Sequence, residues 1–170
     1  ETGEWKTEIK KAWMIPLQIN DSPLYRKDKI IPPTTLEELL QRYNGDPFDQ
    51  PDGKGGTLRQ KNRFVSLPNY LIFNTNRIKK NEFRLEKNNI HIILPTQPMN
   101  FSNYGINAKY SLRALISHSG SAESDEYITY IKNKDSNTWL KCELTNITEV
   151  MIDTAVTQYQ CCFILFEKCD

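Results

Sequence analysis

Four cysteines and two histidines are the residues of this sequence that could perform nucleophilic catalysis. A cysteine nucleophile needs a histidine that accepts its proton and a third group that orients the histidine. His91 lies in an apolar stretch, which favours a packed or surface role, whereas His118 lies beside Ser119 and Gly120 near a predicted strand end. No cysteine has surroundings that would lower the pKa of its thiol, so these residues alone favour a loop-fixing role for His118.

Metal and cofactor chemistry is not indicated by the remaining spacing. No C-x-x-C pair occurs among Cys142, Cys161, Cys162 and Cys169, and the two histidines are far apart, so the sequence predicts no metal site. The glycines around Lys54 lack the spacing of a phosphate-binding loop. We therefore expect no cofactor. Cysteines in a terminal strand are typical of reduced core thiols in an intracellular protein.

Charge and hydropathy narrow the classes of partner. A formal charge of +1 gives no general affinity for nucleic acid, so any RNA contact would depend on local basic patches. Arg77, Lys79 and Lys80 form such a patch, read either as a solvated loop end or as a partner-binding surface. No apolar run is long enough for a membrane helix, which predicts no membrane partner. Two N-x-S/T sequons, at Asn100 and Asn146, keep secretion as an alternative.

A predicted hairpin, Tyr110 to Lys132, positions His118 and a second polar group, Asp125 to Tyr127. Leu112, Ala114 and Ile116 alternate with more polar residues on the first strand, and Ile128 and Tyr130 do so on the second, close to the period of two of a strand. The small polar residues between them predict the turn.

Around this hairpin the sequence predicts many short strands and one clear helix. The helix is expected over residues 35–43, with capping-box spacing between Thr35 and Glu38 and an end at Asn44 and Gly45. A flexible loop is expected over residues 46–57, and a turn or short helix near residues 150–156. The fold class is α+β with a mostly antiparallel sheet. Strands are expected at 13–19, where Pro16 indicates an edge, and at 70–73, 83–86, 90–94, 138–142 and 162–166.

Three segments, in order, resemble the C-terminal half of the ubiquitin-specific protease family (USP/UCH, peptidase C19). Leu67 to Phe73 is similar to its Leu-Pro-x-x-Leu-Ile box, and Tyr110 to Gly120 to its Tyr-x-Leu-x-Ala-Val-Ile-x-His-x-Gly segment. Trp139 to Val150 with Cys162 to Phe166 resembles its Trp-containing and closing strands. The resemblance implies a papain-like cysteine-peptidase fold, of which residues 67–170 would be palm and 1–66 the entry to palm and fingers. The thumb and its nucleophile would lie upstream.

The departures from the family pattern imply that catalysis is lost. Active members begin the second hairpin strand with Gly-His-Tyr, whose histidine is the catalytic base, and here Asp125, Glu126 and Tyr127 match those positions. His118 matches the family's upstream, non-catalytic histidine, and Glu143 falls where the orienting Asp or Asn is expected. A carboxylate, which ordinarily titrates near pH 4.3, raises the pKa of a neighbouring thiol. The catalytic positions are therefore predicted to be degenerate.

One branch of the family, the inactive Sad-type factors of the spliceosomal tri-snRNP, shares these losses. Asp21 to Tyr25, Ile30 to Pro32, the helix ending at Gly45, and Arg63 with Phe64 resemble that branch. The resemblance implies a nuclear pseudoenzyme that assembles or stabilises the tri-snRNP through protein contacts. Two alternatives stay open: a deubiquitinase that uses His118 as base, and a ubiquitin-binding module without catalysis. The zinc-binding cysteine pairs of typical fingers are missing, which weakens the expectation of ubiquitin binding.

Overall fold

A computed structural model of the chain describes residues 5–19, 32–80, 82–83, 85–123, 126–133, 135–136, 138–156 and 160–169. The predicted segments at 21–25 and 30–31, and Asp125, lie outside the described residues. Among the described residues, no helix is long and apolar enough to cross a membrane.

Strands dominate the described residues, and the helices are short. The helices are α1 (Leu36–Leu40), followed directly by a 3₁₀ turn (Gln41–Tyr43), and α2 (Ile152–Val156), with another 3₁₀ turn at Ser102–Tyr104. The strands are β1 (Ile15–Leu17), β2 (Thr34–Thr35), β3 (Asn44–Pro51), β4 (Thr57–Arg63), β5 (Tyr70–Thr75), β6 (Ile78–Lys80), β7 (Leu85–Lys87), β8 (Ile92–Ile93), β9 (Met99–Asn100), β10 (Lys109–Ser119), β11 (Glu126–Lys132), β12 (Trp139–Glu143), β13 (Asn146–Val150) and β14 (Cys161–Lys168).

An eight-stranded sheet organises the described part of the chain, in the order β1-β5-β14-β10-β11-β12-β13, with β9 also paired to β10. Every pair in this sheet is antiparallel except β1 with β5. The predicted α+β class with a mostly antiparallel sheet is confirmed. The predicted hairpin is the pair β10 and β11, and its position near the middle of the sheet lets neighbouring strands on both sides fix the register.

One face of this sheet carries the core. Alternate residues of the neighbouring strands point to this face, and each is at most 2% exposed: Leu71, Phe73, Leu115, Tyr130, Trp139, Ile164 and Phe166. Helix α1 adds Leu36, Leu39 and Leu40 to the same apolar cluster. The predicted capping box is present, because the Thr35 side chain accepts from the Glu38 N–H at 3.1 Å and the Glu38 carboxylate accepts from the Thr35 N–H at 2.8 Å.

The alternation predicted for the first hairpin strand is correct only as far as Leu112. Beyond it Leu115 and Ser117 are buried, whereas Ala114 and Ile116 are half-buried. The register with β14 shifts between Leu112 and Ala114, which is a β-bulge that inserts one residue and reverses the faces of the residues that follow. A period-of-two pattern has no means of indicating such an insertion.

The flexible loop predicted over residues 46–57 is wrong for most of its length, because β3 and β4 pair there as an antiparallel hairpin. The turn itself spans only residues 52–56. The Asp52 carboxylate accepts from the N–H groups of Lys54 and Gly56 at 2.7 and 2.8 Å, which closes the turn and lowers the pKa of Asp52. Gly53 and Gly55 have φ of 75° and 88°, a conformation that glycine adopts readily. Composition indicated the turn correctly but overestimated its length.

Three smaller differences concern the short strands. The strand predicted from Trp13 is only Ile15–Leu17, and Trp13 is 96% exposed, although β1 is an edge strand as Pro16 indicated. The strand predicted at residues 83–86 is instead Leu85–Lys87, paired with β6, and Phe83 is 91% exposed. Strand β13 carries no alternating signal, because four of its five side chains are exposed.

Candidate functional site

The end of the β10–β11 hairpin brings together the residues that the family pattern singles out. In the register of the two strands His118 lies opposite Tyr127, and Ser119 lies opposite Glu126. Glu126 is the first residue of β11 and is exposed, and Glu143 ends the neighbouring β12 at the same end of the sheet. Two carboxylates therefore stand on adjacent strands, and they are the two that the resemblance predicts at the positions of the base and its orienting residue.

His118 is a core residue at this end of the hairpin. It is 1% exposed, its ring centroid lies 5.1 Å from that of Tyr127, and its backbone N–H donates to the Gln160 carbonyl at 3.0 Å. A second register shift, between Ile116 and Ser117, lies at this end of β10, and both Ser117 and His118 are buried there. This packing fits a histidine that fixes the hairpin end. It does not present the ring to solvent as a base for an external substrate.

Lys87 on β7 holds the same end of the hairpin. Its ammonium donates to the carbonyls of His118 and Gly120 at 3.0 and 2.7 Å, and to the Gln160 side-chain oxygen at 2.5 Å. These three acceptors match the three donors of an ammonium group. Burial lowers the pKa of Lys87, with a smaller contribution from Arg77. Sequence reasoning did not single out Lys87, because two of its partners are backbone carbonyls that no side-chain pattern reveals.

Glu143 is held by an ion pair on its own strand. The Lys141 ammonium lies 2.8 Å from the Glu143 carboxylate, and this hydrogen bond raises the pKa of Lys141. A carboxylate paired with a lysine in this way is not arranged to orient an imidazole, and in the predicted match the position of that imidazole is taken by Glu126.

The two cysteines nearest the hairpin end are not activated. Cys161 is fully buried, and burial raises the pKa of its thiol to about 11 although the Arg77 guanidinium opposes the shift. Burial also raises the pKa of Cys162, against the charges of Arg77 and Lys87. A thiol nucleophile needs a lowered pKa. Because the pKa values of both thiols are raised, the nearby cations do not make either cysteine a nucleophile. All four cysteines are unpaired.

Arg77 is not the exposed binding residue that the basic cluster suggested. It is 2% exposed, and its guanidinium donates to the carbonyls of Cys161, Asn88 and Ile90 at 2.7, 3.0 and 2.8 Å. These bonds tie β14 to the segment before β8. Lys79 and Lys80 are exposed on β6, whereas Arg77 is buried, so the three residues do not form one basic surface.

The other candidate residues stand apart from a catalytic arrangement. His91 is half-buried just before β8, and burial and then the charge of Arg77 lower its pKa. Within the described ranges, no three His, Cys, Asp or Glu side chains are grouped as ligands for a metal ion.

Comparison with known proteins agrees with this geometry. The family model of the ubiquitin carboxyl-terminal hydrolases matches residues 5–166, so the chain belongs to this family. The probable mRNA-splicing protein ubp10 of Schizosaccharomyces pombe is 24% identical over 165 residues, which cover 87% of this chain and 32% of that protein. Human ubiquitin carboxyl-terminal hydrolase 39 is 25% identical over 158 residues, covering 86% of this chain and 28% of that protein.

Solved structures share the fold. An essential yeast splicing factor superposes with a TM-score of 0.68 at 20% identity, over 93% of this chain and 36% of that one. The Ubp8-Sgf11-Sgf73-Sus1 SAGA DUB module superposes with a TM-score of 0.71 at 19% identity, over 92% of this chain and 34% of its matched chain. This chain thus spans about a third of the length of the proteins that it resembles.

Proposed function

We propose that this chain is the palm, with part of the fingers, of a catalytically inactive ubiquitin-specific-protease-like domain that acts in pre-mRNA splicing. In this proposal the protein is nuclear and assembles or stabilises the tri-snRNP through protein contacts. The observation that carries the proposal is Glu126, an exposed carboxylate at the head of β11, where active members of the family have the catalytic histidine.

The chemistry of the hairpin end supports the loss of hydrolysis. A general base for a thiol must accept its proton and leave a cation beside the thiolate, whereas an anionic carboxylate disfavours the thiolate. Glu126 and Glu143 place negative charge at both degenerate positions. His118 does not compensate, because its ring is buried against Tyr127.

The relatives support the process in which the protein acts. One is named as a probable mRNA-splicing protein, and one solved structure is that of an essential yeast splicing factor. Lys79 and Lys80 remain candidate contact residues for a partner, since both are exposed. An active deubiquitinase is the second candidate function, and it requires that His118→Ala abolish the release of ubiquitin from a substrate.

Quantitative recovery of small nuclear RNAs tests the proposal. The full-length protein, tagged at its own locus and purified under native conditions, should enrich U4, U5 and U6 RNAs together. The variant Glu126→Gln should enrich them equally, because the carboxylate has no catalytic task in this proposal. A protein that is cytoplasmic, or that recovers none of the three RNAs, would contradict a role in the tri-snRNP.

A further inference from the structure

A cavity lies at the end of the hairpin opposite Glu126. Its volume is about 340 Å³, within the range of small ligand pockets, and it is formed where β10 begins, β11 ends and β12 begins. The Pro95–Pro98 segment and the start of α2 complete the wall. None of these residues belongs to the degenerate catalytic positions.

The cavity combines an apolar floor with one lining residue whose hydrogen-bond donor lacks an acceptor. Leu112 and Trp139 are 6% and 1% exposed and line the cavity. The Trp139 indole N–H is buried and has no hydrogen-bond partner among the described residues. Buried donors are almost always paired, so the orphaned indole N–H of a residue that lines a cavity points to an acceptor from another molecule.

Lys132 supplies the charge of the site. It ends β11, is half-buried and lines the same cavity, and no carboxylate pairs with it in the part of the chain that the structure describes. By contrast Lys141, on the neighbouring strand, pairs with Glu143. A half-buried lysine next to an apolar floor favours an anionic group that is attached to an apolar one.

Asp153 decides between the classes of ligand. This carboxylate, on α2, also lines the cavity. It would repel the successive phosphates of a nucleic acid, whereas a peptide backbone offers N–H donors to it as well as carbonyl acceptors to Trp139. The mixture of one cation, one carboxylate and an apolar floor is therefore matched by a peptide.

We propose that this cavity binds an extended acidic segment of a protein partner, with an apolar side chain against Leu112 and Trp139 and an adjacent carboxylate on Lys132. The proposal rests on the proposed function as a scaffold for protein assembly. It specifies the chemistry of one contact between the scaffold and a protein partner. It requires no catalysis and no movement of the degenerate hairpin end.

Indole ¹H–¹⁵N resonances of the full chain report on this site directly. The chain has three tryptophans, and the exposed Trp5 and Trp13 can be assigned with Trp5→Phe and Trp13→Phe, which leaves Trp139 by elimination. The probe is a pool of capped tripeptides, acetyl-X-Glu-X-amide, with X any residue except cysteine. The matched pool carries Gln in place of Glu.

We expect the Glu pool to shift the Trp139 resonance saturably and about tenfold more tightly than the Gln pool, since hydrogen bonds to charged groups are the stronger ones. Lys132→Gln should remove the preference for Glu, and Lys141→Gln should leave it unchanged. Three results would overturn the proposal: no saturable shift at millimolar peptide, a preference for the Glu pool that Lys132→Gln leaves unchanged, or a response to capped trinucleotides alone. Any of these results, with the three RNAs still recovered, would remove this site and leave the proposed function intact.

Discussion

At the scale of single residues, two cations, the buried Arg77 and the half-buried Lys87, hold the end of the β10–β11 hairpin and its neighbours together. Arg77 binds three backbone carbonyls, and Lys87 binds two carbonyls and one side-chain oxygen. Neither contacts a carboxylate in these bonds, so both act as multiple hydrogen-bond donors rather than as members of ion pairs. Their role is to fix the ends of β10 and β14 on which His118 and the buried Cys161 lie.

Arg77→Met should lower the free energy of unfolding by about 3–5 kcal/mol, because it leaves the carbonyls of Cys161, Asn88 and Ile90 without a donor in the interior. Urea unfolding monitored by circular dichroism measures the change. Lys79→Met, at an exposed position of β6, is the control and should change stability by less than about 0.5 kcal/mol. Equal midpoints for the two variants would show that Arg77 is not structural.

Cys161 predicts an alkaline loss of stability. The pKa of its thiol is raised from 9.0 to about 11 by burial, so the unfolded chain releases the proton first as pH rises. The stabilisation is complete below pH 9 and is lost as pH approaches 11, with an upper limit of about 3 kcal/mol.

Cys161→Ala should reduce this dependence between pH 9 and 10 in urea unfolding relative to the unmodified chain, and the part contributed by Cys162, whose pKa burial also raises, should remain. Burial also raises the pKa values of four tyrosines, whose ionisation therefore destabilises the fold above pH 10 in the unmodified chain and in the variant alike, namely Tyr43, Tyr104, Tyr110 and Tyr130. A flat profile for the unmodified chain between pH 9 and 10 would refute the assignment to Cys161.

Residue types indicated some members of the site and missed others. Glu126 and Glu143 were singled out because the family pattern has a fixed position for each, and their assignment stays a prediction. The true place of Arg77 could not be inferred, because its partner Cys161 is 84 residues away and offers only a carbonyl. The same reason hid Lys87. Patterns of side chains carry no information about which backbone groups need a donor.

At the scale of elements, the end of the hairpin depends on β7. Lys87 is the last residue of that strand, and its ammonium bridges the carbonyls on either side of Ser119. Strand β7 is short and pairs only with β6 within the described residues. The hairpin end is thus held by a side chain from outside the main sheet.

Lys87→Met should increase amide exchange of the peptide that covers residues 116–121 by about tenfold or more, because three hydrogen bonds at the strand end are lost. Hydrogen exchange read by mass spectrometry measures this local effect. The matched variant Lys80→Met changes an exposed lysine of β6 and should leave exchange of that peptide unaltered. Unchanged protection in Lys87→Met would mean that the ladder with β11 and β14 alone holds the hairpin end.

Strong local signals predicted their elements well, whereas features that depend on pairing with a distant strand were missed. The capping box at Thr35 and the apolar runs at β5 and β14 predicted the helix and two of the inner strands of the main sheet. The β10 bulge and the β3–β4 hairpin were missed, because pairing with a neighbouring strand decides them. In both cases the deciding interaction lies outside the window in which a sequence pattern is read.

At the scale of the whole molecule, the two faces of the main sheet differ. One face is covered by α1 and the segments that pack with it, and the other carries apolar side chains that are only half-buried, such as Ile72, Ile116 and Leu165. The hairpin crosses the middle of this sheet, with Glu126, the predicted degenerate position, at one end and the proposed peptide cavity at the other. In the proposed function, loss of chemistry at one end leaves the rest of the sheet available for contacts elsewhere.

The central claim is that the protein no longer hydrolyses ubiquitin conjugates, and covalent capture tests it most directly. Full-length protein is incubated with ubiquitin bearing a C-terminal propargylamide, which traps catalytic cysteines of active family members, and its intact mass is measured. We predict no adduct, with an active ubiquitin-specific protease as the positive control. A stoichiometric adduct that prior alkylation of the protein prevents would contradict the assignment of Glu126 as the mark of a lost base.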